Sequence, residues 1–165
     1  MERSIILTNT EIQHKLKRIA FQIYENNANQ KEIVIAGITT NGFLLAKKLK
    51  SILEEISPIK VIVCEVKMDK KNPLKTIETS VLEKDYKNKS LVLVDDVLSS
   101  GSTLMYAVKH FLNVSLKQFQ TAVLVNRNHK KYPIKADFKG LSLSTSLQEH
   151  ITVEIEGKKI IAYLN

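Results

Sequence analysis

The chain has one cysteine, no apolar run long enough to cross a membrane, neither of the common glycine fingerprints for nucleotides and no internal repeat. Each shortage removes a class of function. Cys64 cannot close an internal disulfide, and within its apolar run it reads as a small buried hydrophobe of a reducing compartment. A membrane helix needs about 20 mostly apolar residues. None is present, and Met1 to Leu7 is too short and too polar for a secretory signal, so a cytoplasmic protein with no membrane partner is expected. No Lys follows Gly101 and no G-x-G-x-x-G occurs anywhere, which disfavours a P-loop NTPase and a dinucleotide binder.

What remains is an ordinary globular composition. With 165 residues, 44% of them hydrophobic and 25% charged, one domain spanning residues 1–165 is expected. A domain of this size buries roughly 70% of its unfolded surface. The net charge of +8 favours polyanionic partners, either phosphorylated substrates or nucleic acid, although the lysines are scattered along the chain.

The densest chemistry lies between Ser90 and Thr103. Leu91 to Val94 is a short unbroken apolar run, suited to a strand buried on both faces of a parallel sheet. Asp95 and Asp96 end it, Ser99 to Thr103 supply small hydroxyl residues and one Gly, and Leu104, Ala107, Val108 and Phe111 then return at helical spacing. Strand, tight loop and helix in that order make an anion cradle, because backbone N–H groups, hydroxyls and the positive end of the helix dipole converge on one point. The two acids stand beside that anion. There they would repel phosphate but accept hydrogen bonds from sugar hydroxyls or hold Mg²⁺. Phosphate, ribose and metal are the implied ligand. The competing reading is a capped helix with no ligand.

The rest of the chain is consistent with a repeating strand and helix plan. Ile5 to Leu7 can form a short strand, and Thr8, Asn9 or Thr10 can cap a helix from Glu11 to about Asn26 whose apolar face carries Ile12, Leu16, Ile19 and Ile23. Ile33 to Ala36 reads as a strand, Gly37 to Gly42 as a loop whose glycines let the backbone approach a ligand, and Phe43 to Leu49 as helix. Val61 to Val66 is a further strand. Asp69 to Lys89 lacks periodicity and reads as a long mobile lid or a disordered insertion. Thr121 to Val125, Ile134 to Phe138, Ile151 to Glu156 and Lys159 to Tyr163 are the remaining strand candidates. The expectation is an α/β protein with an open, mostly parallel sheet, helices on both faces and its ligand at the carboxyl edge.

The apolar strand, the paired acids and the Ser-Gly-Ser-Thr that follows closely resemble the fingerprint of type I phosphoribosyltransferases, enzymes that bind 5-phosphoribosyl-1-pyrophosphate. Val34 to Leu49, Ala122 to Phe138 and Ser144 to the end extend the likeness to bacterial pyrimidine-operon regulators that are also uracil phosphoribosyltransferases. The resemblance implies the type I phosphoribosyltransferase fold with a small hood, and transfer of the phosphoribosyl group to a nucleobase, uracil giving UMP. It implies Asp95 and Asp96 as catalytic groups that bind the ribose hydroxyls and reach Mg²⁺ through ribose or water. Ser99, Ser100, Gly101, Ser102 and Thr103 would hold the 5-phosphate, and Thr39, Thr40, Asn41 and Gly42 would form the pyrophosphate loop. Lys70 and Lys71 fall in the lid, and Asn126, Arg127, His129, Lys135 and Asp137 in the hood over the base. A leader RNA and a homodimer or larger assembly are the partners the resemblance adds. The alternative it carries is a nucleotide-sensing, RNA-binding regulator of pyrimidine genes with weak or no catalysis.

Several positions depart from that pattern. Thr39 and Asn41 stand where such regulators usually carry Lys and Arg, and Asn126 and Asn128 stand where Asp and Gly are usual. Loss of two charge-assisted hydrogen bonds to a leaving pyrophosphate would remove on the order of several kcal/mol of stabilisation, for which Lys67, Lys70 or Lys71 could partly substitute. Phe21 replaces a His of the first helix, while Lys17, Arg127, Lys130 and Lys135 keep the RNA-facing region basic.

Overall fold

A computed structural model describes residues 3–165. Six strands form the main sheet in the order β4-β3-β2-β5-β6-β7: Glu78–Thr79, Lys60–Lys67, Glu32–Ile38, Ser90–Leu98, Gln118–Asn126 and Phe138–Ser142. All neighbours are parallel except the two-residue edge strand β4, which runs antiparallel to β3. A second sheet of three antiparallel strands is built from both ends of the chain, β1 (Ser4–Leu7), β9 (Lys159–Leu164) and β8 (Ile151–Glu156).

The helices α1 (Asn9–Asn27), α2 (Asn41–Ile56), α3 (Glu83–Tyr86) and α4 (Ser102–Phe111) cover the two faces of the main sheet. Alternation along the strands decides which face each covers. Ile33, Ile35, Val92, Val94 and Leu124 pack with Leu16, Ile19, Leu45 and Leu49 of α1 and α2. Val34, Ala36, Leu91, Leu93 and Val123 point the other way, onto Tyr86, Leu104, Ala107 and Phe111. Strands buried on both faces must be apolar at every position, which explains their unbroken Val, Ile and Leu runs. Val153, Ile160 and Ala162 of the small sheet join the α1 and α2 core, so the chain ends share its packing. The N–H of Ile160 donates to Asn9 Oδ1 (2.9 Å) at the start of α1. That helix is capped by Thr8 and Glu11 in reciprocal hydrogen bonds, the arrangement its Thr-x-x-Glu sequence specifies.

Four expectations are corrected. β5 does not stop at the acids but runs on to Leu98, because its ladder with β6 continues as far as Leu98 opposite Asn126 after β2 has left at Val94. The glycine-bracketed loop is shorter than Gly37 to Gly42, since β2 reaches Ile38 and α2 starts at Asn41, leaving Thr39 and Thr40 between them. Asp69 to Lys89 is not a bare loop: it holds β4 and α3, and Tyr86 is buried edge-on against Phe111 (5.1 Å between ring centres). The strand expected at Ile134 to Phe138 lies at Phe138–Ser142, for Thr121 engages the backbone of Lys135 and Asp137 and holds the earlier residues as a loop.

Candidate active site

β2 and β5 are adjacent, yet the helices that follow them lie on opposite faces of the sheet, so a crevice opens between their carboxyl ends. A cleft of about 340 Å³ fills it. The end of β5 and the turn after it line the cleft together with Asn41, Lys70, Arg127, His150 and the first residues of β8, Ile151 to Val153.

The turn Ser99 to Gly101 leads into α4. Gly101 is the residue before the helix and has φ of +85°, a left-handed conformation that a side chain disfavours. No side chain caps the helix. Ser99, Ser100, Gly101, Thr103 and Leu104 line the cleft, whereas the expected site residue Ser102 does not line it and donates its N–H to Ser100 Oγ (3.2 Å). The backbone of the turn is anchored from behind, where Ser100 O accepts from the N–H groups of Lys131 (2.8 Å) and Tyr132 (3.1 Å). Such a terminus attracts an anion.

Asp95 and Asp96 stand next to this cradle. Asp95 is only 2% exposed. Burial, and then the charge of Asp96, push its carboxyl up to about 7, against the pull of Lys70. Lys70 Nζ lies 2.8 Å from Asp95 Oδ1 and 3.7 Å from Asp96 Oδ1. Burial works against the Lys70 ammonium, but the two carboxylates outweigh it and the net shift is upward. Asp96 accepts from Val97 N–H at Oδ1 (2.8 Å) and from Asn41 Nδ2 at Oδ2 (2.8 Å), and the same amide donates to Val153 O (2.9 Å) on β8. Close packing sets these positions: a Cβ on Gly42 would lie 2.6 Å from Val94 O and 3.0 Å from Asp95 Cα.

Arg127 is buried, with 8% of its surface exposed. It donates to Ser99 Oγ (3.2 Å), Thr145 Oγ1 (2.6 Å) and Ser146 O (3.0 Å), so it joins the anion turn to the segment before β8. A buried guanidinium is not a surface contact, and the expectation that Arg127 contributes to a basic RNA-facing surface is corrected on that ground.

Other expected site residues lie outside the cleft. Thr39 turns toward β3, donating from Oγ1 to Val66 O (3.0 Å). Thr40 is exposed at the start of α2, and Lys71 is exposed with its backbone N–H on Asp69 Oδ1 (2.9 Å). Asn126 Nδ2 donates to Ser142 Oγ (3.3 Å), and His129 Nε2 lies 2.7 Å from Thr145 O. Asp137 accepts from Thr121 N–H (2.9 Å), and Lys135, 3.8 Å from Asp137, is mostly exposed. Of the Asn126 to Phe138 run only Arg127 lines the cleft, whereas His150 and the start of β8 line it as well. His150, Ile151, Thr152 and Val153 carry no local signal for this role, because tertiary contacts such as Asn41 Nδ2 to Val153 O bring them there.

The donor set bears on a metal. Among the described residues no group of three or more His, Cys, Asp or Glu side chains is gathered. Two adjacent carboxylates beside an anion cradle suit a Mg²⁺ ion that arrives with a phosphate ligand, since that ion is commonly bound by one or two carboxylates together with substrate oxygens. No helix among the described residues is long and apolar enough to cross a membrane.

Comparisons with known proteins agree with this geometry. The family model described as a phosphoribosyl transferase domain matches residues 2–156. The bifunctional protein PyrR of Bacillus pumilus is 34% identical over 93% of this chain and 91% of its own length. That of Clostridium acetobutylicum is 35% identical over 92% and 90%. Among solved structures, a hypoxanthine phosphoribosyltransferase of Trypanosoma cruzi superposes with a TM-score of 0.77 at 15% identity, covering 96% of this chain and 95% of the other. A hypoxanthine-guanine phosphoribosyltransferase of Bacillus anthracis gives 0.74 at 17%, covering 98% and 99%. At these identities the two structures speak for the fold alone.

Proposed function

The chain belongs to the phosphoribosyl transferase family, and from that premise we propose that it transfers the phosphoribosyl group of 5-phosphoribosyl-1-pyrophosphate to a nucleobase, uracil to UMP. The observation that supports this most directly is one cleft in which an uncapped helix start, a left-handed Gly101 and two carboxylates face the same space. A monoester phosphate suits the first, and a pentose ring suits the second.

In this reading Ser99, Ser100, Gly101 and Thr103, which line the cleft, hold the 5-phosphate with Ser102 beside them bracing Ser100, and Asp95 and Asp96 accept the ribose hydroxyls. Displacement of pyrophosphate at C1 builds positive charge on the ribose, which the nearby carboxylates stabilise. Mg²⁺ bound by the same carboxylates through ribose or water would neutralise charge on the leaving group. The pyrophosphate loop carries no cation of its own between Gly37 and Gly42. Thr39 faces β3 and Asn41 is tied to Asp96 and β8, so cations for the leaving group must come from outside the loop. The base would enter beside Arg127 and the β8 residues that line the cleft. A pyrophosphate-release assay with uracil, hypoxanthine, guanine and adenine tests the reading: release with uracil is expected, and release with none of the four removes it.

A second reading, a nucleotide-sensing regulator that binds a leader RNA, draws on the +8 net charge and on the exposed Lys17, Lys130 and Lys135. It also fits a homodimer or larger assembly. UMP-dependent affinity for such an RNA would support it, and affinity that follows salt alone would remove it.

A further inference from the structure

The ion pair between the lid and the acid pair has a consequence for which sugar phosphate the site accepts. Lys70 follows β3 in a segment that makes no ladder bonds until β4 at Glu78. The segment is turned by Asp69, whose Oδ1 accepts from the N–H groups of Lys71 (2.9 Å) and Asn72 (3.2 Å) and whose Oδ2 is taken by Lys75 Nζ (2.8 Å). Asp69 is thereby occupied, and Lys70 extends past it to Asp95 and Asp96. Among the described residues it is the one cation in ion-pair contact with either carboxylate. Its side chain is 38% exposed while that of Asp95 is 3% exposed, so the lysine has room to swing away on its flexible stem and the acid is enclosed.

Two adjacent carboxylates, one of them buried, need a counter-charge. Ribose hydroxyls can replace the hydrogen bonds that Lys70 makes, but being neutral they cannot replace its charge, and they compete with it for the same oxygens. A ligand that also carries a pyrophosphate offers the displaced ammonium a new anionic partner within the length of its four-carbon stem. Ribose 5-phosphate carries no such group at C1. We propose that Lys70 is a displaceable counter-ion that makes the site discriminate between sugar phosphates, disfavouring ribose 5-phosphate and favouring 5-phosphoribosyl-1-pyrophosphate. The inference rests on the phosphoribosyltransferase reading of the cleft and adds a specificity determinant to it. It also names a source for the positive charge that the Gly37 to Gly42 loop lacks.

Titration calorimetry with magnesium present, using the full chain, Lys70→Met and Lys70→Arg, tests it. A charge-assisted hydrogen bond is commonly worth about a factor of ten or more in an equilibrium constant. Lys70→Met is expected to bind ribose 5-phosphate roughly tenfold more tightly and 5-phosphoribosyl-1-pyrophosphate roughly tenfold more weakly, and Lys70→Arg to keep the discrimination of the parent. Thermal melting checks that the variants fold, as an exposed lid position allows. Affinity for ribose 5-phosphate that is unchanged or weaker in Lys70→Met overturns the proposal, as does a gain for both ligands together, which would make Lys70 a simple obstruction. If the parent chain binds neither ligand, the phosphoribosyltransferase reading itself fails. If the parent binds both and the Met variant does not separate them, only the role of Lys70 falls.

Discussion

Asn41 Nδ2 donates simultaneously to Asp96 Oδ2 at 2.8 Å and to Val153 O at 2.9 Å, joining the start of α2, the acid pair on β5 and the start of β8. A side chain that looks from the sequence like a lost cation is thus the cross-brace of the cleft. Asn41→Ala would leave a strand carbonyl without a partner and take the hydrogen bond from Asp96 Oδ2, leaving the carboxylate held by the Val97 N–H on Oδ1 (2.8 Å). A loss of about 1 to 3 kcal/mol of stability is expected, which for a chain of this length lowers Tm by roughly 2 to 4 °C per kcal/mol. The catalytic efficiency kcat/KM for uracil should fall more than the stability loss explains, and equal activity per folded molecule would refute the brace.

The buried Asp95 sets a pH dependence. An unfolded aspartate loses its proton near pH 4, whereas the folded Asp95 does so at about 7. Between these values the folded chain holds the extra proton, so this group's contribution to stability declines as pH rises from about 4 to about 7 and is level above that. Chemical denaturation across that range should show Asp95→Asn losing the decline and, at pH 8, gaining about 1 to 3 kcal/mol over the parent. The same variant should lose transferase activity, because an amide cannot accept the ribose hydroxyls as a carboxylate does. A variant with parental pH dependence would show that Asp95 is not the group responsible.

Gly101 is where the turn into α4 is most sensitive. Alanine there must adopt φ of +85° and bring its Cβ to 2.5 Å from Ile134 Cγ2. The left-handed conformation alone costs roughly 1 to 2 kcal/mol. Gly101→Ala is expected to weaken ribose 5-phosphate binding well beyond its effect on Tm, as measured by calorimetry beside melting. Parental affinity would mean that the turn does not hold the phosphate.

Arg127 links Ser99 to Thr145 and Ser146. Arg127→Met keeps much of the buried stem and removes these donors. Limited proteolysis should cut the 143–149 segment faster in the variant, and KM for 5-phosphoribosyl-1-pyrophosphate should rise. If cutting and KM both stay parental, the bridge is incidental.

The parts of this protein set by local chemistry were legible in the sequence. Two-sided burial demands unbroken apolar runs, so β2, β3, β5 and β6 stand out as strands, and the small residues before the return of helical spacing mark the turn between β5 and α4. The Thr8 to Glu11 capping box marks the start of α1 in the same way. Contacts between residues distant in the chain left no such trace. The extension of β5 past its acids comes from β6, the shift of β7 from Thr121, and the place of β8 in the cleft from tertiary contacts such as that of Asn41 with Val153. Lys70 on Asp95, 25 residues apart, and Asn41 between Asp96 and Val153 decide the electrostatics of the cleft. Sequence order specifies which groups a segment offers, through backbone geometry and side-chain period. Which groups meet depends on how the sheet and its helices close around one another, and only the folded chain brings those distances to hydrogen-bonding range.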